Sequence, residues 1–348
     1  MNRRYGSWVL LIGLSLAAGF AQESGPAGRR GPSASVPTGN ANRRITLDVA
    51  VTDKAGTRVA GLEQADFTLL DNKQPQKILS FHAVTAPAAA DPVEVILVVD
   101  KINTSPEGVT RVRNEIEKFL GRDGGKLAFP MSVVSLSGPG TEVQIGPSQD
   151  GNALIGELAK LDFGVRNSAD QQPRSLVTLA EFAEHERSRP GRKLVIWTSP
   201  GWSLYLHSGG NLMPQDEQRI FGSIVSLSDA LRRARITLYN INPIGPAESP
   251  VRAADYGMFF NGVKGPKQAL WGNLGLQPLV HESGGRIFEG NNDLAGEIEA
   301  CITDGTAFYA LTFDGLPGDG PSEYHALEVK VDKPKLTVRT RTGYYAQP

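Results

Sequence analysis

The chain is short of nearly everything that marks a common enzyme or a nucleic-acid binder. It has a single cysteine, Cys301, so no intramolecular disulfide can staple it. A chain of 348 residues buries enough core without one. It lacks an excess of either charge: 36 Lys and Arg face 37 Asp and Glu, a formal net of -1. Arg29-Arg30 and Arg43-Arg44 are isolated pairs in a linker, and no basic face accumulates elsewhere. That excludes a nucleic-acid partner and a polybasic membrane anchor. The five histidines do not cluster. His281-Glu282-Ser283-Gly284-Gly285 opens like a zinc-protease helix but lacks the second His, and His185 sits among charges on a helix. There is no P-loop, no dinucleotide-binding glycine turn and no G-x-S-x-G elbow. Ser199 follows a strand, but Pro200 removes the backbone donor that an oxyanion hole needs there. Cys301 falls on the inner face of a helix, as a small buried hydrophobe rather than a reactive thiol. The expectation is a non-enzyme.

What is present begins with a tripartite N-terminus. Arg3 and Arg4 precede an apolar run over 8–16 and small residues over 17–21. This reads as a signal peptide, 1–21, cleaved after Ala21. The apolar run is short of the roughly 20 residues of a membrane span. An uncleaved anchor is the competing reading. The expected location is therefore the periplasm or the exterior. Residues 22–44, rich in Gly, Pro, Ser and Ala, form a linker without a core.

From Ile45 the period becomes two: Ile45, Leu47, Val49 and Val51 alternate with polar or small residues. With strands at 67–70 and 76–84, this predicts a small antiparallel unit. Val93 onward is a near-continuous apolar run, as in a parallel strand covered on both faces. Helix and strand then alternate: helices at 106–120, about 150–161, around 176–182, 215–233 and 294–302; strands at 127–136, 142–145, 192–199, 236–241 and 287–288. That is a doubly wound, mostly parallel Rossmann-like sheet. Strands return at 307–313, 324–331 and 336–340. Two β segments, 45–85 and 306–346, thus frame an α/β block at 92–305. The economical arrangement pairs them into one β-sandwich-like domain in which the α/β block is inserted.

These residues also carry a resemblance. Val51-Thr52-Asp53-Lys54-Ala55-Gly56, Gly61-Leu62 and Ala65-Asp66-Phe67-Thr68-Leu69-Leu70-Asp71-Asn72 come first. Ile96-Leu97-Val98-Val99-Asp100 with Asn103-Thr104, Pro190-Gly191-Arg192-Lys193, Ser283-Gly284-Gly285-Arg286 and the ending Arg339-Thr340-Arg341-Thr342-Gly343-Tyr344 follow. In this order they resemble the acidobacterial-type von Willebrand factor A-related domain proteins. The resemblance implies a metal-ion-dependent adhesion site at the carboxyl ends of the central strands, where hard oxygens hold Mg²⁺ or Mn²⁺ and leave one position for a partner's carboxylate.

The sequence departs from that pattern. The Asp-x-Ser-x-Ser loop reads Asp100-Lys101-Ile102-Asn103-Thr104, and the later Ser-Asp-Gly reads Ser199-Pro200-Gly201, without its acid. The expected metal set shrinks to Asp100, Asn103, Thr104 and, by position, Ser168: a vestigial site with no cofactor, or weak Mg²⁺ or Mn²⁺. Two of them, Thr104 and Asp100, have a structural alternative. Thr104-Ser105-Pro106-Glu107 reads as a capping box, and Asp100 at a strand end can accept hydrogen bonds from its loop. Trp202, Tyr205, Tyr256, Phe259, Phe260 and Trp271 fall in two irregular stretches expected at the same rim. They read either as a protein-contact surface or as cover for the chain's own core. The function expected is an exported, non-catalytic interaction or scaffolding module with an unknown protein partner. The alternatives are an adhesion protein using Asp100 with water completing the coordination, and an exported hydrolase.

Overall fold

The computed structural model describes residues 43–85, 92–137, 143–161, 171–202, 212–244, 256–289 and 293–348. The expected signal segment, nearly all of the linker, Ser168 and Tyr205 lie outside them.

The alternating segment at the start becomes β1 (Arg44–Thr52), with Ile45, Leu47, Val49 and Val51 all buried. β2 (Phe67–Asp71) follows. The single strand expected over 76–84 is instead two, β3 (Gln74–Gln76) and β4 (Ser80–Val84), in different sheets. The three residues between them cross the gap, and Ile78 buries its side chain on the way, so the apolar pattern continues although the ladder does not.

Next come β5 (Val93–Asp100), α1 (Pro106–Leu120), β6 (Lys126–Leu136), β7 (Val143–Asp150), α2 (Gly151–Leu158), α3 (Gln171–Arg187), β8 (Arg192–Thr198), α4 (Pro214–Arg233), β9 (Ile236–Ile241), α5 (Leu276–Glu282), β10 (Ile287–Phe288) and α6 (Leu294–Thr306). Their sheet has the order β10-β9-β8-β5-β6-β7, all parallel except β7. Side chains alternate across it. Val95, Leu97 and Val99 pack with α1, α2 and α6, including Cys301. Ile96, Val98, Val195 and Trp197 pack with α3, α4 and α5. Burial on both faces explains the unbroken apolar runs. This is a Rossmann-like α/β arrangement.

The chain ends with β11 (Phe308–Asp314), β12 (Glu323–Val331), β13 (Thr337–Arg339) and β14 (Gly343–Ala346). These strands build two four-stranded antiparallel sheets with the opening ones, β13-β1-β11-β4 and β14-β12-β2-β3. β1 lies between β11 (Leu47 opposite Leu311) and β13 (Val51 opposite Val338). Both sheets share one core, which includes Leu47, Phe67, Leu69, Leu311 and Phe313.

The β and α/β parts meet at the amino ends of the parallel strands and along α4, where Tyr345 packs on Phe221 and bonds the Val263 carbonyl. Arg192 lies over the Phe308 ring and 3.7 Å from Asp48, and Arg235 donates to Asp48 at 2.6 Å. Lys193, buried, donates Nζ to the carbonyls of Arg189 and Ala234. Burial lowers its pKa, and the Glu186 carboxylate acts against that. The opposite, carboxyl ends of the strands are left for the candidate site.

Candidate functional site

In the sheet order, the chain leaves β5 toward β6 on one side and returns at β8 on the other. The carboxyl edge above β5 and β8 is the switch point at which open α/β sheets bind ligands. Asp100 ends β5, and Trp197 is the penultimate residue of β8.

Asp100 is fully buried. Its Oδ1 accepts the backbone N–H groups of Ile102 at 2.9 Å and Asn103 at 3.0 Å. Its Oδ2 accepts Asn103 Nδ2 at 2.8 Å, Trp197 Nε1 at 2.9 Å and Trp202 Nε1 at 3.3 Å. A carboxylate has about four lone-pair positions. Here five N–H groups converge on one. Both indoles are wholly buried, with ring centroids 5.4 Å apart at 75°, an edge-to-face pair.

The neighbours hold this arrangement from several sides. Asn103 Nδ2 also donates to Ser175 Oγ on α3 at 2.8 Å. Thr198 Oγ1 donates to the Val98 carbonyl at 2.7 Å, clamping β8 to β5. Asn240, at the end of β9, donates Nδ2 to the carbonyls of Trp197 and Ser199, and its Oδ1 accepts Gln277 Nε2 at 3.2 Å.

Among the described residues, the Asp100 oxygens are already engaged by N–H donors. A divalent cation at Asp100 would face the hydrogens of the bound N–H groups. Ile102 is buried and apolar where the pattern has a hydroxyl, and the Ser199-Pro200-Gly201 turn has no acid. Among the described residues, no group of three or more His, Cys, Asp or Glu is placed to share an ion. Thr104 does not cap α1, contrary to the capping-box expectation. Ser105 is the N-cap, its Oγ accepting Gly108 N at 3.1 Å, with Pro106 in the first turn. The register is one residue later because Ser105 has the extended backbone a cap requires. Thr104 Oγ1 is buried without a hydrogen-bond partner among the described residues.

Of the rim aromatics, Trp202, Tyr256 and Phe259 are in the interior. Phe259 covers Gly272, and Tyr256 bonds Glu289. Phe260, half-buried, stacks on His281 at 4.1 Å, and burial lowers the His281 pKa. Trp271, half-buried, lies 5.7 Å below Arg219 of α4. Among the described residues of this part, the large exposed apolar groups are Met213 (65% exposed), Met258 (69%) and Leu270 (38%).

Sequence reasoning missed Trp197, Ser175, Asn240 and Gln277. Trp197 was readable only as a strand residue, and Asn240 as an unusual polar end to an apolar strand. A second buried polar cluster lies in the β part. Asp71 accepts Tyr344 OH at 2.6 Å and contacts His325 Nδ1 at 2.8 Å. Burial and the Asp71 carboxylate hold the Tyr344 phenol far above its ordinary pKa.

No family model matches the sequence, and no curated protein matches it. Solved structures match remotely. Proximal thread matrix protein 1 from the mussel byssus is 13% identical, with 68% of this chain and 51% of that one covered and a TM-score of 0.36. The human COPII-coat protein Sec24c is 9% identical, with 75% and 44% covered and a TM-score of 0.37. The pilus adhesin SpaC of Lactobacillus rhamnosus GG is 9% identical, with 83% and 42% covered and a TM-score of 0.38. The chain spans about half the length of these proteins. At these scores the likeness assigns it to no family.

Proposed function

We propose that this chain is an exported, non-catalytic protein-interaction or scaffolding module of the von Willebrand factor A-like type. On this reading its α/β block (92–305) is an insertion in the β unit (45–85 and 306–346), and its adhesion site is degenerate and works without a metal. The observation that carries it is the Asp100 carboxylate, whose acceptor positions are taken by the chain's own N–H groups at the switch point of the sheet. A partner then meets a surface of side chains rather than an open coordination position. Met213, Met258 and Leu270, with Phe260 and Trp271 beside them in the sequence, supply apolar contact groups in the stretches that follow β8 and β9. Residues 1–21 serve export and are removed, so the mature chain starts at Gln22, in the periplasm or outside the cell.

A photo-crosslinker at Met258, in the native envelope fraction with and without chelator, tests this reading. The expected result is the same cross-linked species in both. Cross-links that vanish with chelator and return with Mg²⁺ overturn it. One observation favours the metal-dependent alternative, in which water completes the coordination: the buried Thr104 hydroxyl has no partner among the described residues. Calorimetry with Mg²⁺ at millimolar concentration separates the two. Micromolar affinity abolished by Asp100→Ala establishes the alternative.

A further inference from the structure

The loop that lost the acid is the same loop that brings an indole to Asp100. Ser199-Pro200-Gly201 closes on itself, with Gly201 N donating to Ser199 Oγ at 3.2 Å. Gly201 has φ +107°, a conformation that disfavours any side chain, and a Cβ there would lie 2.4 Å from Gln277 Nε2. The turn delivers Trp202 to Asp100 Oδ2, edge-on to Trp197. A loop built to present a carboxylate to a cation would face the opposite way electrically. This one presents the positive end of an N–H dipole.

We infer that Trp197, Trp202 and Asp100 form a metal-free latch, in which two indole N–H groups replace the cation. The latch fixes the rim in one state. Asp100 is its positioning residue: it ties the 101–104 loop through two backbone N–H groups, β8 through Trp197, the 199–202 turn through Trp202, and α3 through Asn103 and Ser175. A carboxylate suits this role better than an amide because each of its oxygens only accepts. An Asn at this position must point an NH₂ at two or more of the N–H groups. A buried donor that loses its acceptor carries the full desolvation cost. The latch holds whether or not a protein partner exists, so it stands apart from the interaction reading.

The test is the indole N–H proton NMR of the ¹⁵N-labelled full chain, assigned by single Trp→Phe variants. The Trp197 and Trp202 indole protons are expected to exchange with solvent more slowly than that of half-buried Trp271, on the order of tenfold or more. Paramagnetic Mn²⁺ at millimolar concentration should leave both unbroadened. Asp100→Asn should abolish both protections and lower Tm by about 5 to 10 °C. If that variant does not fold, Trp202→Phe, which keeps the ring and removes one donor, should leave Trp197 protected. Selective broadening of the two indole signals by Mn²⁺ overturns the latch. So does exchange in the unaltered protein as fast as that of Trp271. Neither result depends on cross-linking to a partner.

Discussion

Tyr344 donates its hydroxyl to Asp71 at 2.6 Å, joining residues 273 positions apart in the sequence. The bond is buried, and His325 Nδ1 lies 3.3 Å from the same hydroxyl. It connects β2 to β14 across β12, which pairs with both. Tyr344→Phe keeps the ring against Phe313 and leaves a buried carboxylate short of one donor. The expected loss of stability is about 1 to 3 kcal/mol, read by denaturant unfolding. A variant as stable as the parent would mean that the bond adds nothing.

Glu297, on α6, is buried. Burial, together with the Asp293 carboxylate, pushes its pKa up to about 7 from 4.5, with Arg111 acting the other way. The folded protein therefore holds a proton that the unfolded chain has released. Between pH 4.5 and about 7 the unfolded state binds fewer protons, so the stability from this group falls as pH rises and is fully lost above that window. Denaturant midpoints across this range should decline with pH in the parent. In Glu297→Gln that component of the slope should vanish, and an unchanged slope would show that Glu297 ionises normally.

Thr104→Val replaces a buried hydroxyl that has no partner among the described residues with a methyl of the same shape. Removing such a group is neutral or stabilising, by up to about 1 kcal/mol. A loss above that, seen by thermal unfolding, would mean that the hydroxyl is engaged by a bound water or ion.

Gly201→Ala places a side chain at φ +107° and against the Gln277 amide, which is itself bonded to Asn240. The cost is about 1 to 2 kcal/mol from the backbone alone. Gly222→Ala, on α4 with open space around the new methyl, is the control and should not destabilise. Equal effects of the two on Tm would remove the special role of the turn.

The parts legible in the sequence were those in which one face, or both, is buried over several residues. β1 shows its alternation, and β5 and β8 show unbroken apolar runs because helices cover both sides of the sheet. α4 was readable to within a residue, since Ile220, Phe221, Ile224, Leu227 and Leu231 recur at helical spacing and Arg232 and Arg233 close its last turn. Short elements were not. α5 has seven residues with Pro278 among them, and lay hidden in what reads as a long irregular stretch. The split of β3 from β4 was invisible because Ile78 keeps the apolar pattern going while the backbone changes sheets. At the site, Asp100 was identifiable as an acid after an apolar strand. Its partners were not, because Trp197 and Trp202 carry no polar signature until geometry turns their nitrogens toward one oxygen.

The pairing of β1 with β11 and β13 has a consequence for the birth of the protein. β1 leaves the ribosome early, with Ile45, Leu47, Val49 and Val51 along one side, and both its neighbours are made only after the whole α/β block. Until then it is an apolar strand with two open edges, the form most prone to sticking to other chains. The parallel sheet can assemble beforehand, since its strands and helices all lie between. Closure of the β sheets is a late step with long loops to bring together, and slow for that reason. A holding chaperone would have its strongest claim on this chain at residues 44–52, during the interval before β11 appears.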